Sequence, residues 1–228
     1  MFLRFTNPTH VGYEENLQFS QFIPTAGGSV DVRQRRSQER LHAAVLRLAA
    51  ERSVSELSVT ELAVEAGVHR STFYEHAASP ADLLQAALVA ELDVLRARLY
   101  DEAATDVDRV VGEVTEDVLR HVERHAAVYR RGLGAGSGSG SLHAMLSGHF
   151  RESSRRLLEL ARLQVGVQVP GVPDEVVADL AVRFVADGTV GIIEGWLAQP
   201  EPRVEDFMEL YLRLLPAWWP SALSARVT

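Results

Sequence analysis

The chain has 228 residues, with 23 Arg, no Lys, 31 acids and a formal net charge of -8. It contains no Cys, which excludes disulfide frameworks, thiol nucleophiles and Cys-type zinc sites, and no apolar run approaches the ~18 residues that span a bilayer. Residues 1–28 lack the unbroken apolar stretch of a secretory signal, so the pattern predicts a soluble cytoplasmic chain with no membrane partner, long enough to bury its own core.

The charge is uneven. Residues 1–80 carry 8 Arg against 9 acids, and residues 81–228 carry 15 Arg against 22 acids. Within residues 33–52 six Arg face only Glu39 and Glu51. A locally basic segment on an acidic chain tells more about partners than the total does.

Residues 1–32 show no sustained periodicity and contain Pro8, Pro24 and Gly27-Gly28, which predicts a disordered arm, or an extension ahead of a chain that starts near Val30. From Ser37, the apolar residues Leu41, Ala44, Val45, Leu48 and Ala49 repeat at helical spacing over about 16 residues. A second helix opens at Ser58, where Ser58-x-x-Glu61 has capping-box spacing, and stops at Gly67, which takes positive φ without steric cost. A short third helix covers about Arg70–His76. Ser79-Pro80 starts a fourth, with Ser79 at the N-cap, Pro80 at the first helical position and Asp82 at the positive end of the dipole.

The remainder also reads as helix. Val107, Val110, Val111, Val114, Val118 and Val122 share one stripe, Gly134–Ser141 is a linker by composition, and Leu142, Met145, Leu146, Phe150, Leu157 and Ala161 mark a further helix. Two last helices are expected over about 174–198 and 203–218. With no strand-length alternation and no internal repeat, the expected fold class is all-α. The expected division is 1–32 arm, 33–80 N-terminal helical domain and 81–228 C-terminal helical domain.

Residues 60–74 have helix-turn-helix grammar. Ala63 lies where two helices approach most closely, Gly67 makes the tight turn four residues on, and Val68 plugs the gap between the helices. The second helix of such a pair can lie in the major groove. Arg70 suits a bidentate pair with guanine or a phosphate contact, Ser71 and Thr72 offer short hydroxyls, and Tyr74 and His76 can donate to phosphate oxygens.

From about Arg36 to Leu84 the sequence resembles the tetracycline-repressor (TetR) family of bacterial regulators. The match is carried by the run from Ser58 to His76, by Ser79 and by Leu83-Leu84. The resemblance implies a three-helix DNA-binding head, a linking fourth helix, a helical ligand domain and a homodimer. Its usual action is repression of a palindromic operator, relieved by a small molecule. It also implies DNA contacts at Thr60, Arg70, Thr72, Tyr74 and His76 and a core role for Phe73. Two positions depart from the family: Ala77 stands where an aromatic is usual, and Pro80 where a Lys usually holds a phosphate. Arg33, Arg35 and Arg36 are placed to supply that charge from the arm.

In the C-terminal half, Ala181, Val185, Gly188, Ile192 and Gly195 follow a 4-3-4-3 spacing, as do Phe207, Tyr211, Leu214 and Trp218. These are expected to form a dimer face, the small set admitting close approach and the large set filling it; intramolecular core is the alternative. A mostly apolar effector is expected against Tyr129, Met145, His149, Phe150, Phe184 and Trp196. Arg130-Arg131 and Arg155-Arg156 read as solvated surface. His121 and His125, at i and i+4, can share a metal, but no third ligand stands at a partner spacing, so no metal and no cofactor is assigned. No HExxH, GxSxG, phosphate-loop or GxGxxG spacing occurs, and no enzyme is expected. The rival to a DNA-binding regulator is a helical protein-binding adaptor with a degenerate head.

Overall fold

The computed structural model describes residues 27–102, 106–133, 140–160 and 163–220. Among them are nine α-helices and no strand: α1 Gly27–Glu51, α2 Val59–Ala66, α3 Arg70–His76, α4 Pro80–Glu102, α5 Val107–Arg124, α6 Ala126–Leu133, α7 Gly140–Glu159, α8 Asp174–Leu197 and α9 Val204–Leu214. A short 3-10 turn, Val54–Glu56, joins α1 to α2. No helix among the described residues is long and apolar enough to cross a membrane.

Local chemistry sets most of the N-terminal boundaries. Ser58 Oγ accepts from the Glu61 amide at 3.1 Å, which satisfies one of the open donors of α2. The other half of the expected capping box is not used in this way, because the Glu61 carboxylate is turned to Arg52. Gly67 ends α2 with φ +62°, and the Val68 amide returns to the Ala63 carbonyl at 2.9 Å, the long bond of a Schellman turn. Ser79 Oγ accepts from the Asp82 amide at 3.1 Å and starts α4 at Pro80.

Two boundaries differ from the periodicity. Helix α1 begins at Gly27, ten residues before Ser37, so residues 27–32 are helical rather than part of an irregular arm. Residues 32–36 are all exposed and make no apolar stripe, yet Arg and Gln are good helix formers and extend a helix already nucleated by its packed half. The rest of the expected arm lies outside the described residues, as do Ala161 and most of the Gly134–Ser141 linker, of which Gly140 opens α7. At the other end α9 stops at Leu214, short of 218: Leu215 is extended (ψ 147°), as expected of a residue before proline, here Pro216. Trp218 therefore leaves the helical stripe and packs with Trp219 against a second core cluster.

Helix α4 is the spine. Its first half buries Leu83, Leu84, Ala87 and Leu88 against Leu41, Val45 and Leu48 of α1 and Leu62 and Phe73 of the helix pair, in a cluster that continues to Trp196 and Phe207. Its far end, at Leu99, joins Val110, Val111, Val114, Leu157 and Leu163 in the second cluster. Helices α7 and α8 pack on each other, α5 lies along α4 and α9 covers α5.

Helix α6 packs on α1, and its arginines are not free surface charges. Arg131 donates to the terminal carbonyls of α1, at Ala49 (3.1 Å), Ala50 (2.6 Å) and Glu51 (3.1 Å). Arg130 Nε donates to Leu197 O at 2.8 Å, at the end of α8. Each satisfies carbonyls that a helix terminus leaves open, with a cation at the negative end of the dipole.

Candidate functional site

Helix α3 buries one side chain. Phe73 is fully buried, while Arg70, Ser71, Tyr74 and Glu75 of the same seven-residue helix are exposed and Thr72 is half-buried. Thr60 is exposed on the first turn of α2. Arg70 has no ion-pair partner among the described residues, so its five donors face solvent. Tyr74 is 55% exposed and sets the edge of its ring against Phe73.

Beside α3, the first turns of α1 and the α2–α3 turn make a groove lined by Arg33, Arg36, Arg40, His69, Thr72 and Glu75. Arg40 donates to the Gly67 carbonyl at 3.3 Å and ties α1 to the turn. Arg36 is exposed in this groove; Arg35 is exposed but does not line it. The expected cationic edge is therefore present, carried by a helix rather than by an arm. His76 is placed differently from expectation: its Nε2 lies 2.9 Å from Ser37 Oγ, a contact that ties the end of α3 to α1. Nearby, burial and then the neighbouring His76 push His42 of α1 below the usual histidine range, against the opposite pull of Glu91.

The body has a cavity of about 90 Å³ between α4, α5, α7, α8 and α9. One wall is Val111, Val114 and Val118 of the α5 stripe, and its polar groups include Arg96, His149, Thr189 and Tyr211. Burial, and then the Arg96 charge, push His149 down to about 4 against the weaker pull of Asp93, so the imidazole is neutral at pH 7. Thr189 Oγ1 donates to Val185 O at 2.7 Å and meets Tyr211 Oη at 3.0 Å. Space and polar groups of this kind fit several water-sized groups or a small, mostly apolar ligand.

Of the residues expected at an effector, His149 and Phe150 line this cavity. The others do not. Met145 packs into the main core, Trp196 stacks on Phe207 with centroids 4.9 Å apart, and Tyr129 is fully buried against His121. Phe184 is 70% exposed on the opposite side of α8. The expected dimer stripe is likewise divided. Val185, Phe207 and Tyr211 are buried within the protomer, and Ala181 and Ile192 are half-buried. Gly188, Gly195 and Leu214 are exposed, together with Leu180, Phe184, Gly191 and Leu210, which the spacing did not select. The reason is angular: adjacent helix positions lie about 100° apart, so moving a stripe by one residue exchanges an inward for an outward side chain.

A third constellation joins α4, α5 and α6. Glu91 Oε2 lies 3.1 Å from His121 Nδ1 and 3.0 Å from His125 Nε2, and His121 Nε2 lies 2.8 Å from Tyr129 Oη. Sequence spacing supplied the two histidines but not Glu91, which stands thirty and thirty-four residues upstream.

Comparison with known proteins places this geometry. Residues 41–87 match the model of "Bacterial regulatory proteins, tetR family". No curated protein matches the chain. Similar solved structures include the dihydroxyacetone kinase operon activator DhaS, at 12% identity and TM-score 0.57, over 78% of this chain and 93% of that one. A TetR transcriptional regulator from Streptococcus agalactiae 2603V is similar at 21% identity and TM-score 0.55, over 82% and 97%. Thermus thermophilus FadR, a TetR-family transcriptional repressor in complex with lauroyl-CoA, is similar at 21% identity and TM-score 0.53, over 78% and 92%. Residues 41–87 thus match the DNA-binding segment of the TetR family, and the all-helical body behind them shares the fold of the similar transcriptional regulators.

Proposed function

We propose that the chain is a cytoplasmic, ligand-responsive DNA-binding regulator that acts as a homodimer and represses from a palindromic operator. The observation that carries this reading is the outer face of α3, where Arg70, Ser71 and Tyr74 stand exposed beside the arginine-lined groove of α1. Arg70 and Ser71 open α3, where the recognition helix of such a pair reaches base edges. Arg33, Arg36 and Arg40 line that groove, and on this reading they meet the flanking phosphates and take over the charge that Pro80 does not provide. On this reading residues 33–80 form the head, now with the turns from Gly27, and residues 81–228 the body.

The dimer face we assign is the outward side of α8 and α9: Leu180, Phe184, Gly188, Gly191, Leu210 and Leu214. Four large apolar side chains, each more than half exposed, on one pair of helices suit a self-complementary two-fold contact with glycines at the closest approach. The effector site is the α5-walled cavity. The lauroyl-CoA bound by the similar Thermus thermophilus repressor supports reading the body as a ligand compartment. A small, mostly apolar molecule with one or two hydrogen-bonding groups would meet His149, Thr189 and Tyr211.

A gel shift with the DNA flanking the chain's own gene tests the reading. A discrete complex at low salt, lost on adding effector, is expected. Failure to retard any fragment there, with the chain binding a protein partner instead, would favour the adaptor.

A further inference from the structure

Two imidazoles and a carboxylate from different helices converge on one point between α4 and α5. The ligating atoms of Glu91, His121 and His125 all lie within 4.8 Å of one another. We propose that Glu91, His121 and His125 form a binding site for a divalent first-row transition ion of the Zn²⁺ class.

The donor set suits that ion. Two histidine nitrogens and a carboxylate oxygen are the ligands of zinc sites that keep a fourth position open, at about 2.0–2.2 Å from the metal. Tetrahedral ligands at that range stand roughly 3.3–3.6 Å apart. Glu91 Oε2 already lies 3.0 Å from His125 Nε2 and 3.1 Å from His121 Nδ1, so these pairs need to open by only a few tenths of an ångström. The i, i+4 spacing puts both imidazoles on one face of α5, with ring centroids 4.9 Å apart.

A metal-bound histidine usually needs its other nitrogen held, and Tyr129 Oη lies 2.8 Å from His121 Nε2. When Nε2–H donates to that oxygen, the Nδ1 lone pair points at the site. His121 is fully buried while Glu91 and His125 keep partial exposure, which gives a dry inner wall and an open outer one. Arg124 lies 3.7 Å from Glu91 Oε2 and is the one guanidinium paired with that carboxylate among the described residues. Its side chain is two-thirds exposed and can swing out as a cation enters. An ion held here clasps α4, which runs on from the recognition helix, to the α5–α6 segment whose Arg131 holds the end of α1.

The test uses the full chain, freed of metal with a chelator, titrated with Zn²⁺ in a calorimeter and with Co²⁺ in a spectrometer. We expect one ion per chain and visible ligand-field absorption with Co²⁺. The thermal midpoint should rise by about 5–10 °C at Zn²⁺ on the order of a hundred times Kd. His125→Gln and Glu91→Gln should each weaken uptake by well over tenfold, and Tyr129→Phe by roughly tenfold to a hundredfold. Circular dichroism checks that each variant keeps the wild-type helix content. No uptake by the wild-type chain overturns the proposal whatever the variants do. Uptake that both Glu91→Gln and His125→Gln leave unchanged also overturns it, and makes the cluster a hydrogen-bonded tie between α4 and α5. Because the readout is metal uptake alone, its outcome is separate from whether the chain binds DNA.

Discussion

The head and the body spend the same residue type in opposite ways. In the body most arginines face an acid: Arg98 meets Glu102 and Asp117, Arg109 meets Glu113, Arg120 meets Glu116, and Arg155 and Arg183 share Asp179. On the outer face of the head, Arg33, Arg36, Arg40 and Arg70 have no acid partner among the described residues, while Arg47 and Arg52, further along the chain, are paired with Glu51, Glu65 and Glu61. Exposed pairs of this kind contribute only about 0–1 kcal/mol each, so in the body they chiefly cancel charge. What remains is a directed field: a cationic edge on the head, an acidic body whose arginines are mostly paired, and an outward apolar strip on α8 and α9. The net charge of -8 therefore says little about DNA, because the acids that produce it lie mostly behind the edge that would meet phosphate.

That contrast can be broken at either end. Phe73→Ala empties the one buried position of α3 and should cost about 3–5 kcal/mol in denaturant unfolding, disabling the head through its fold. Phe184→Glu attacks the apolar strip instead. Symmetry counts the change twice, so self-association should weaken by about 4 kcal/mol in sedimentation experiments while each protomer stays folded. Full retention of the dimer would move the interface elsewhere.

The interior of the body should respond to acid where the head's exposed cations do not. His149 is held neutral, with its value pushed down to about 4 in the fold against 6.5 in the unfolded chain. The unfolded chain therefore binds the extra proton first. The stability is whole above pH 6.5 and is lost as pH falls from 6.5 to 4, by on the order of 3 kcal/mol. Unfolding curves at pH 7 and pH 4.5 should show this loss reduced in His149→Gln, and an identical slope in both proteins would remove His149 as its source.

Arg70→Ala should leave the thermal midpoint in place and cost operator binding about 1–3 kcal/mol if the side chain pairs with guanine. Equal loss on operator and random DNA would assign it to phosphate. The smallest effect sharpens the comparison most. Arg36→Ala should lower the salt slope of DNA binding by about one unit, whereas Arg109→Ala in the body should leave that slope unchanged.

Legibility in the sequence tracked the range of the interaction. Ser58, Gly67, Ser79 and Pro80 marked their helix boundaries correctly, because a cap hydrogen bond or a fixed φ acts within three or four residues. The buried Phe73 and the exposed Arg70 were readable for the same reason: a seven-residue helix has one inward side. The valine periodicity marked α5 as a helix but not that Val111, Val114 and Val118 would wall a cavity with Thr189 and Tyr211, which meet across twenty-two residues. Met145 and Trp196 misled because large apolar side chains fill a core as readily as they line a pocket.

By itself, the sequence determined the all-helical class, the helix-turn-helix and the residues its short helix could expose, since these follow from local backbone chemistry and apolar periodicity. Only the tertiary structure decided which way α8 turned, with Phe184 outward and Val185 inward, and that Arg130 and Arg131 cap distant helices. It alone brought Glu91 to His121 and His125. These depend on how helices rotate and pack against partners far along the chain, and helix rotation is fixed by the whole core at once rather than by any neighbour in sequence.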